Sequence, residues 1–422
     1  MCDFRRICCD DWWGIGVMAI GVRKHKSDLA ILFGTLVLMA IGLIVIYAIG
    51  PMRANVLNAT YGEDYDQNYF FIHQLISVAV AIVAFVIAFK LPYEKMRKLS
   101  KWIMLLGLIL SLLMWILSAV GSALVKCELG ACRWFSLGSL SFQPAEFLKL
   151  GLVMYLAGLI GRKKAEGTVG SWKEFWLPVG LVSALSLFFV VVVQSDLGSG
   201  LAMIAIIVSI LLVSDVPMRQ FLIMMGVILA VGVLVIVMFP HRMERLTTFI
   251  GGGDADASYH VDNAMLAIGT GGMFGVGIGN SVQATGYLPE SINDSVFAVM
   301  GETFGFVGLC GIILIFAWIL LRLLKVAERT EDLERRLVVV GVFAWVATHV
   351  VVNIAAMTGL VPVTGITLPL LSYGGTSMAF IAFSLGLTLQ LSCYTGREVQ
   401  NENISRRRGI GGAYHSGRSR NS

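Results

Sequence analysis

The sequence predicts an all-α integral membrane protein with about ten transmembrane helices. Both termini are expected in the cytoplasm, and a large extracytoplasmic loop is expected between spans seven and eight. Three observations carry this expectation. Of 422 residues, 57% are hydrophobic and only 14% charged, against about 25% charged in an average soluble domain. The apolar residues come in blocks of about 20, the length a helix needs to cross a hydrocarbon core of roughly 30 Å. The basic residues, finally, fall almost wholly on alternate connecting segments.

The blocks are, in order, 29–49, 70–89, 102–124, 145–160, 175–193, 198–213, 220–239, 295–321, 337–356 and 375–391. Only Gln194, Ser195, Asp196 and Leu197 separate the fifth from the sixth, which implies a tight hairpin. Ten crossings put both ends of the chain on one side. With the N-terminus inside, the inner segments hold 26 of the 32 Lys and Arg residues. The outer loops then hold Arg53, Lys126, Arg133, Arg242 and Arg245, and Lys149 lies inside a span. An excess of Lys and Arg marks the cytoplasmic side. The net charge of +5 is therefore the basic rim of a membrane protein and does not imply nucleic acid.

The chain divides into a cytoplasmic or interfacial segment 1–27, a polytopic membrane domain 28–392 and a tail 393–422. The tail, rich in Arg, Gly, Ser and Asn, has the composition of a disordered segment. Trp12 and Trp13 suit the headgroup level. The apolar stretch around them is too short and glycine-interrupted for a signal peptide. None of the seven cysteines stands in a metal-type CxxC pair. Cys127 and Cys132 share one outer loop, where oxidation is permitted, and the turn-forming Glu-Leu-Gly-Ala between them predicts a disulfide.

Function is sought where polar residues interrupt the apolar pattern, because such residues at membrane depth usually line an interior or a cavity. Four segments qualify. In 132–150, Pro144 suits the first turn of a helix, and Glu146 and Lys149 share a helical face. That pair reads either as a structural tie between helices or as a cavity wall in which Lys149 meets an anion. Arg133 is the better phosphate ligand, since guanidinium binds phosphate oxygens bidentately. In 194–200, Asp196 either caps the following helix or faces a cavity beside Gln194. In 240–294, Arg242 and Arg245 lie three apart. The glycine-rich run 267–280 of that segment requires irregular backbone and lacks the GK[ST] of a phosphate loop. Glu290 and Asp294, four apart before an apolar span, read at their plainest as helix-end charges. The fourth segment, 353–377, has no charge but close-spaced Gly, Pro, Thr, Ser and Tyr. It must lie at the outer face or pack against protein, with Ser372, Tyr373, Gly374 and Gly375 leading into the last span.

This fourth segment carries a resemblance. Asn353, Gly359-Leu360, Pro362, Gly365-Ile366 and Leu370-Leu371-Ser372-Tyr373-Gly374-Gly375-Thr376-Ser377 resemble the C-terminal signature of the SEDS family (FtsW, RodA and SpoVE). Arg133-Trp134, Gln143-Pro144 with Glu146 and Lys149, Gln194 with Asp196-Leu197-Gly198, and Leu288-Pro289-Glu290 with Asp294 agree with it in order. Ala145, Ser195, Asn293 and Ser295 depart from the family's usual residues without removing a charge. The YLPES-type run and the wording of 363–375 look more like the FtsW branch than the RodA branch.

The resemblance implies a peptidoglycan glycosyltransferase of the bacterial inner membrane, at the division septum. It would polymerise lipid II into undecaprenyl-linked glycan and release undecaprenyl pyrophosphate, paired with a class B penicillin-binding protein among other divisome membrane proteins. It implies Asp294 as the general base. Arg133, Lys149, Arg242 and Arg245 become candidates for the pyrophosphates, with Glu290, Asp196, Gln194, Ser372 and Tyr373 as further site residues. Glu146, Pro144, Gly374 and Gly375 take structural roles. No residue cluster suggests a dedicated metal site; a divalent cation, Mg²⁺ or Mn²⁺, could neutralise the diphosphate. The rival readings are a lipid II flippase, an elongation polymerase of RodA type and a non-catalytic divisome scaffold.

Overall fold

A computed structural model describes residues 27–128, 131–137, 140–238 and 255–394. The expectations for Trp12, Trp13 and the C-terminal tail lie outside these residues. Eight described helices are long and apolar enough to cross a membrane: α1 Leu29–Tyr61, α2 Tyr69–Lys90, α3 Tyr93–Ala119, α4 Pro144–Ala165, α5 Trp172–Val193, α9 Val296–Arg329, α10 Leu333–Met357 and α11 Gly375–Leu391. Two other apolar helices, α6 Leu197–Val213 and α7 Met218–Met238, stand between them. A further helix, α8 Ala255–Thr270, precedes the glycine-rich run. Every apolar block read from the sequence overlaps a helix among the described residues.

Local chemistry starts and stops these helices where capping rules place their ends. The Asp28 side chain accepts from Ala30 N at 3.2 Å to open α1, and Gly62 ends that helix in the left-handed conformation. Pro144 stands in the first turn of α4, where its missing N–H costs nothing. Asp332 caps α10 through Arg335 N at 2.9 Å.

Contacts then sort the connections into two ends of the bundle. At one end Asp28 N donates to Ser392 Oγ at 3.0 Å, so the first and last described helices share that end. Tyr93 and Arg97 both reach Glu334 there, at 2.9 and 3.0 Å. At the other end lie the α5–α6 turn, the 271–295 segment and the 358–374 segment. Interior positions belong to α4, α10 and α11, while α2, α3, α5 and α9 turn much of their apolar surface outward. α11 lies along α2, and Gly386 permits the approach: a Cβ there would stand 2.4 Å from Phe85 O. Small residues play this part wherever membrane helices pack closely.

Two features were not legible as elements. The block expected to run to Leu124 stops as helix at Ala119, and a three-stranded antiparallel sheet follows: β1 Val125–Glu128, β2 Ala131–Leu137 and β3 Leu140–Phe142. Val125 and Phe135 pair across it and pack with Met114 of α3, which anchors the sheet to the bundle. Cys127 and Cys132 are bonded across β1 and β2.

The second feature is a break in α9 at Gly305, whose φ is 68°. The glycine-rich run docks there. Val276 N and Gly277 N donate to the carbonyls of Glu302 and Thr303, and Phe306 N and Val307 N donate to the carbonyls of Gly272 and Met273. The backbone groups freed by the break are thus satisfied by protein, as irregular chain at membrane depth requires.

Candidate functional site

The 358–374 segment lies against the acidic turn before α9, tied to it by hydrogen bonds. Asn353, buried at the end of α10, donates its Nδ2 to Asp294 O and to Ile366 O, each at 2.7 Å. One amide thus ties the segment to the acidic turn before α9. Tyr373 N adds a second tie, to Ile292 O at 2.8 Å. Ser372 Oγ accepts from Leu368 N at 2.8 Å, and its carbonyl accepts from Gln74 of α2 at 3.3 Å. Ser372 is buried and shapes the segment, whereas Tyr373 is partly exposed. Gly374 ends the segment at φ 159° and Gly375 opens α11.

Asp294 sits just before α9 and is 8% exposed. Among the described residues no cation pairs with its carboxylate; the Ser295 hydroxyl stands 3.5 Å away. Burial, and then the neighbouring Glu290 charge, push its pKa up from the usual carboxylate range to about 7. Ser295 Oγ donates to Pro289 O at 2.8 Å and lies 2.7 Å from His260 Nε2 of α8. A hydroxyl has one proton to give, so His260 donates here through Nε2–H. Burial lowers the pKa of His260, which leaves the imidazole neutral at pH 7. Neither acid caps α9: Ser295 holds the N-cap position, without a side-chain bond. The plain helix-end reading of the two acids is therefore not what the geometry shows.

Glu290 has φ 48°, a left-handed backbone uncommon outside glycine. Its carbonyl accepts from Asn293 N and Ser295 N, which folds the turn that carries Asp294. Its carboxylate meets Asn293 Nδ2 and, at 3.5 Å, Arg53 Nη2 from the far end of α1.

The remaining candidates are engaged inside the protein. Asp196 caps α6 through Ser199 N at 3.0 Å and accepts from Gln143 Nε2 at 3.0 Å. Gln194 donates to Ser111 Oγ at 3.1 Å. Both are buried and shape the α5–α6 turn rather than an open wall. Lys149 is fully buried; its ammonium bonds Glu146 at 2.7 Å and His349 at 3.0 Å, and lies over the Trp345 ring. The cavity reading of Lys149 is therefore corrected: an ammonium enclosed by its partners is a tie between α4 and α10. Arg133 Nη2 donates to Ser195 O at 2.7 Å while its Nε is buried without a protein partner. Arg242 and Arg245 lie outside the described residues.

Sequence reading missed Asn353's double role, together with Arg53, His260, Gln74 and Glu302. Glu302, buried in α9, accepts from Ser281 Oγ and Val282 N and pins the end of the glycine-rich run. A carboxylate inside an apolar span was the signal available for it. Polar atoms without a protein partner also gather at this end, among them Gln74 Oε1, Arg133 Nε, Gln194 Oε1 and Asn353 Oδ1. Buried polar atoms are normally satisfied by protein or by ordered water, so these atoms have bonding capacity left for water or a polar ligand. Among the described residues no three His, Cys, Asp or Glu side chains converge as metal ligands.

Comparison with known proteins places this geometry. Residues 29–397 match the family model for the FtsW, RodA and SpoVE proteins, described as cell cycle protein. The chain is 32% identical over 377 residues to stage V sporulation protein E of Bacillus subtilis, covering 88% of this chain and 99% of that one. It is 31% identical over 390 residues to a probable peptidoglycan glycosyltransferase FtsW of Halomonas elongata, covering 91% and 94%. Among solved structures, the rod shape determining protein RodA of Thermus thermophilus is similar at 25% identity with a TM-score of 0.60, covering 87% and 96%. A chain of a peptidoglycan synthase complex, solved to show how polymerization and crosslinking are coordinated, shares the fold at 23% identity with a TM-score of 0.67.

Proposed function

The chain belongs to the FtsW, RodA and SpoVE family of cell cycle proteins, and from that premise we propose that it is a peptidoglycan glycosyltransferase polymerising lipid II, with Asp294 as general base. The observation that carries the reading is the state of Asp294: a buried carboxylate with no cation bonded to it among the described residues, raised to about 7, on a turn held by Asn353. A general base works best when its pKa lies near the operating pH.

In this reading the 4-hydroxyl of one N-acetylglucosamine attacks the anomeric carbon of the lipid-linked sugar. The new carbon–oxygen bond forms as the bond to the diphosphate oxygen breaks. The hydroxyl proton passes to Asp294, and undecaprenyl pyrophosphate leaves with the bonding electrons. The α linkage of the donor becomes β in the product, which a single displacement with a base on the acceptor side achieves. Developing charge on the leaving group calls for cations. Arg133 has donor capacity left, and Arg242 and Arg245 belong in sequence to the 240–294 segment that carries Asp294. No described cluster fits a dedicated divalent site, so such a cation would arrive as the counter-ion of the diphosphate.

The charge asymmetry of the sequence supports placing the Asp294 end outside the cytoplasm, where wall precursors are joined. The family's description as cell cycle protein supports a place in division, hence the septum, and the synthase-complex neighbour supports a crosslinking partner of the class B penicillin-binding type. The test is glycan synthesis from labelled lipid II by purified protein with its partner. Wild type should give polymer, and Asp294→Asn, folded and partner-bound, should give none. Polymer from the Asn variant at near wild-type rate would sink the assignment and favour a flippase or scaffold.

A further inference from the structure

We propose that Arg53 is a diphosphate ligand of this site and that Glu290 is its place-holder, occupying the guanidinium until an anionic substrate displaces it. The inference rests on the glycosyltransferase reading, whose substrate brings a polyprenyl diphosphate to this end of the bundle. α1 has 33 residues, about 50 Å of helix at 1.5 Å per residue. That exceeds a hydrocarbon core of roughly 30 Å, so its far end projects to the level of the acidic turn. Val56 packs against Gly286 there, which fixes Arg53 beside Glu290.

The pair has the marks of an exchangeable contact. Its single distance is 3.5 Å, longer than the roughly 2.7–2.9 Å of a strong charge-assisted bond. A guanidinium carries five donors in a fork that matches phosphate, and this is the only side-chain hydrogen bond or ion pair Arg53 makes among the described residues. The Arg53 side chain is 19% exposed and that of Glu290 49%, so the pair is open to solvent and weak. Glu290 does not depend on Arg53 to keep its place. Asn293 holds its other oxygen, and its backbone is fixed at φ 48° by the turn. Backbone held in this region commonly marks a functional site. Of the other candidate cations of the described site, Lys149 is enclosed and Arg133 is only partly committed, through Ser195 O, so Arg53 would act beside Arg133.

The experiment is a double-variant cycle on the full chain in lipid nanodiscs, with farnesyl diphosphate as probe and farnesol as the uncharged control. Arg53→Gln should weaken diphosphate binding about 10-fold or more, the usual cost of a charge-assisted contact, and leave farnesol unchanged. Arg53→Lys should fall between, keeping the charge and losing the fork. Glu290→Gln should tighten binding by about 2- to 5-fold, since the competitor removed is a weak surface partner. That gain should vanish in the Arg53→Gln background. A gain that persists there would show Glu290 repelling the ligand directly and would overturn the place-holder role. No loss with Arg53→Gln, or weaker binding with Glu290→Gln, would overturn it as well. Lipid II polymerisation by wild type is measured alongside: a flat cycle with active wild type defeats only this inference, and inactive wild type defeats the reading beneath it.

Discussion

At the scale of the residue, Asp294 gives two predictions of opposite sign. Its folded pKa of about 7 means that the carboxylate gains its proton as pH falls through 7, so kcat/KM for lipid II should fall on that limb. A profile flat from pH 6 to 8 would count against the base. The same shift costs stability. A carboxyl raised from 3.8 to about 7 binds its proton more tightly folded than unfolded. Folding is therefore favoured below about 3.8, and that advantage is lost as pH rises to 7. Asp294→Asn carries no such charge, so it should melt higher than wild type at pH 8, by more than at pH 5, while making no polymer. Equal melting shifts at the two pH values would contradict the burial cause. The role proposed for Asp294 was read from its place before an apolar span and from the family resemblance. Its environment was not, because Asn353, His260 and Glu290 reach it from α10, α8 and the turn, and no sequence spacing links them.

At the scale of the element, two substitutions separate packing from chemistry. A Cβ on Gly275 would stand 2.2 Å from Thr303 O, at φ 81°, where the run docks on the broken α9. Gly279 has φ 84° but nothing within 4 Å. Gly275→Ala should therefore prevent docking and lower the yield of folded protein sharply. Gly279→Ala should cost only backbone strain of about 1–3 kcal/mol; similar melting temperatures for the two would refute the docking. The glycine content told that this run was irregular, but not that it repairs a helix 30 residues later. The Glu146 and Lys149 tie between α4 and α10 makes a second case. Removing one partner of a buried pair leaves an uncompensated group and costs about 3–5 kcal/mol. Lys149→Met alone should thus destabilise strongly, and Glu146→Gln with Lys149→Met should recover most of the loss. A substrate-binding lysine would instead show lost affinity with unchanged melting. Three-residue spacing predicted the pair; the choice between tie and cavity needed His349 and Trp345, which are about 200 residues away in sequence.

At the scale of the whole molecule, the helices expose what a soluble protein would bury. Leu314, Leu229, Leu181 and Phe33 are more than half exposed on four different helices, a distribution suited to lipid rather than water. Because block length alone sets the membrane-crossing pattern, this level of structure was the most legible, down to the hairpin at 194–197. The sheet escaped because its strands are too short and its alternation is broken by a bulge between Lys126 and Cys127. The charge asymmetry of the sequence implies which end faces outward, and that orientation is open to direct test. Asp64, in the α1–α2 connection, and Glu331, in the α9–α10 connection, are both exposed and lie at opposite ends of the bundle. Single cysteines at these positions are compared in a background with Cys2, Cys8, Cys9, Cys310 and Cys393 replaced by serine. An impermeant maleimide added to cells with a permeable wall should label Asp64→Cys before lysis and Glu331→Cys only after it. The reverse pattern would put Asp294 in the cytoplasm, away from the wall, and the glycosyltransferase reading could not stand with the acid facing inward.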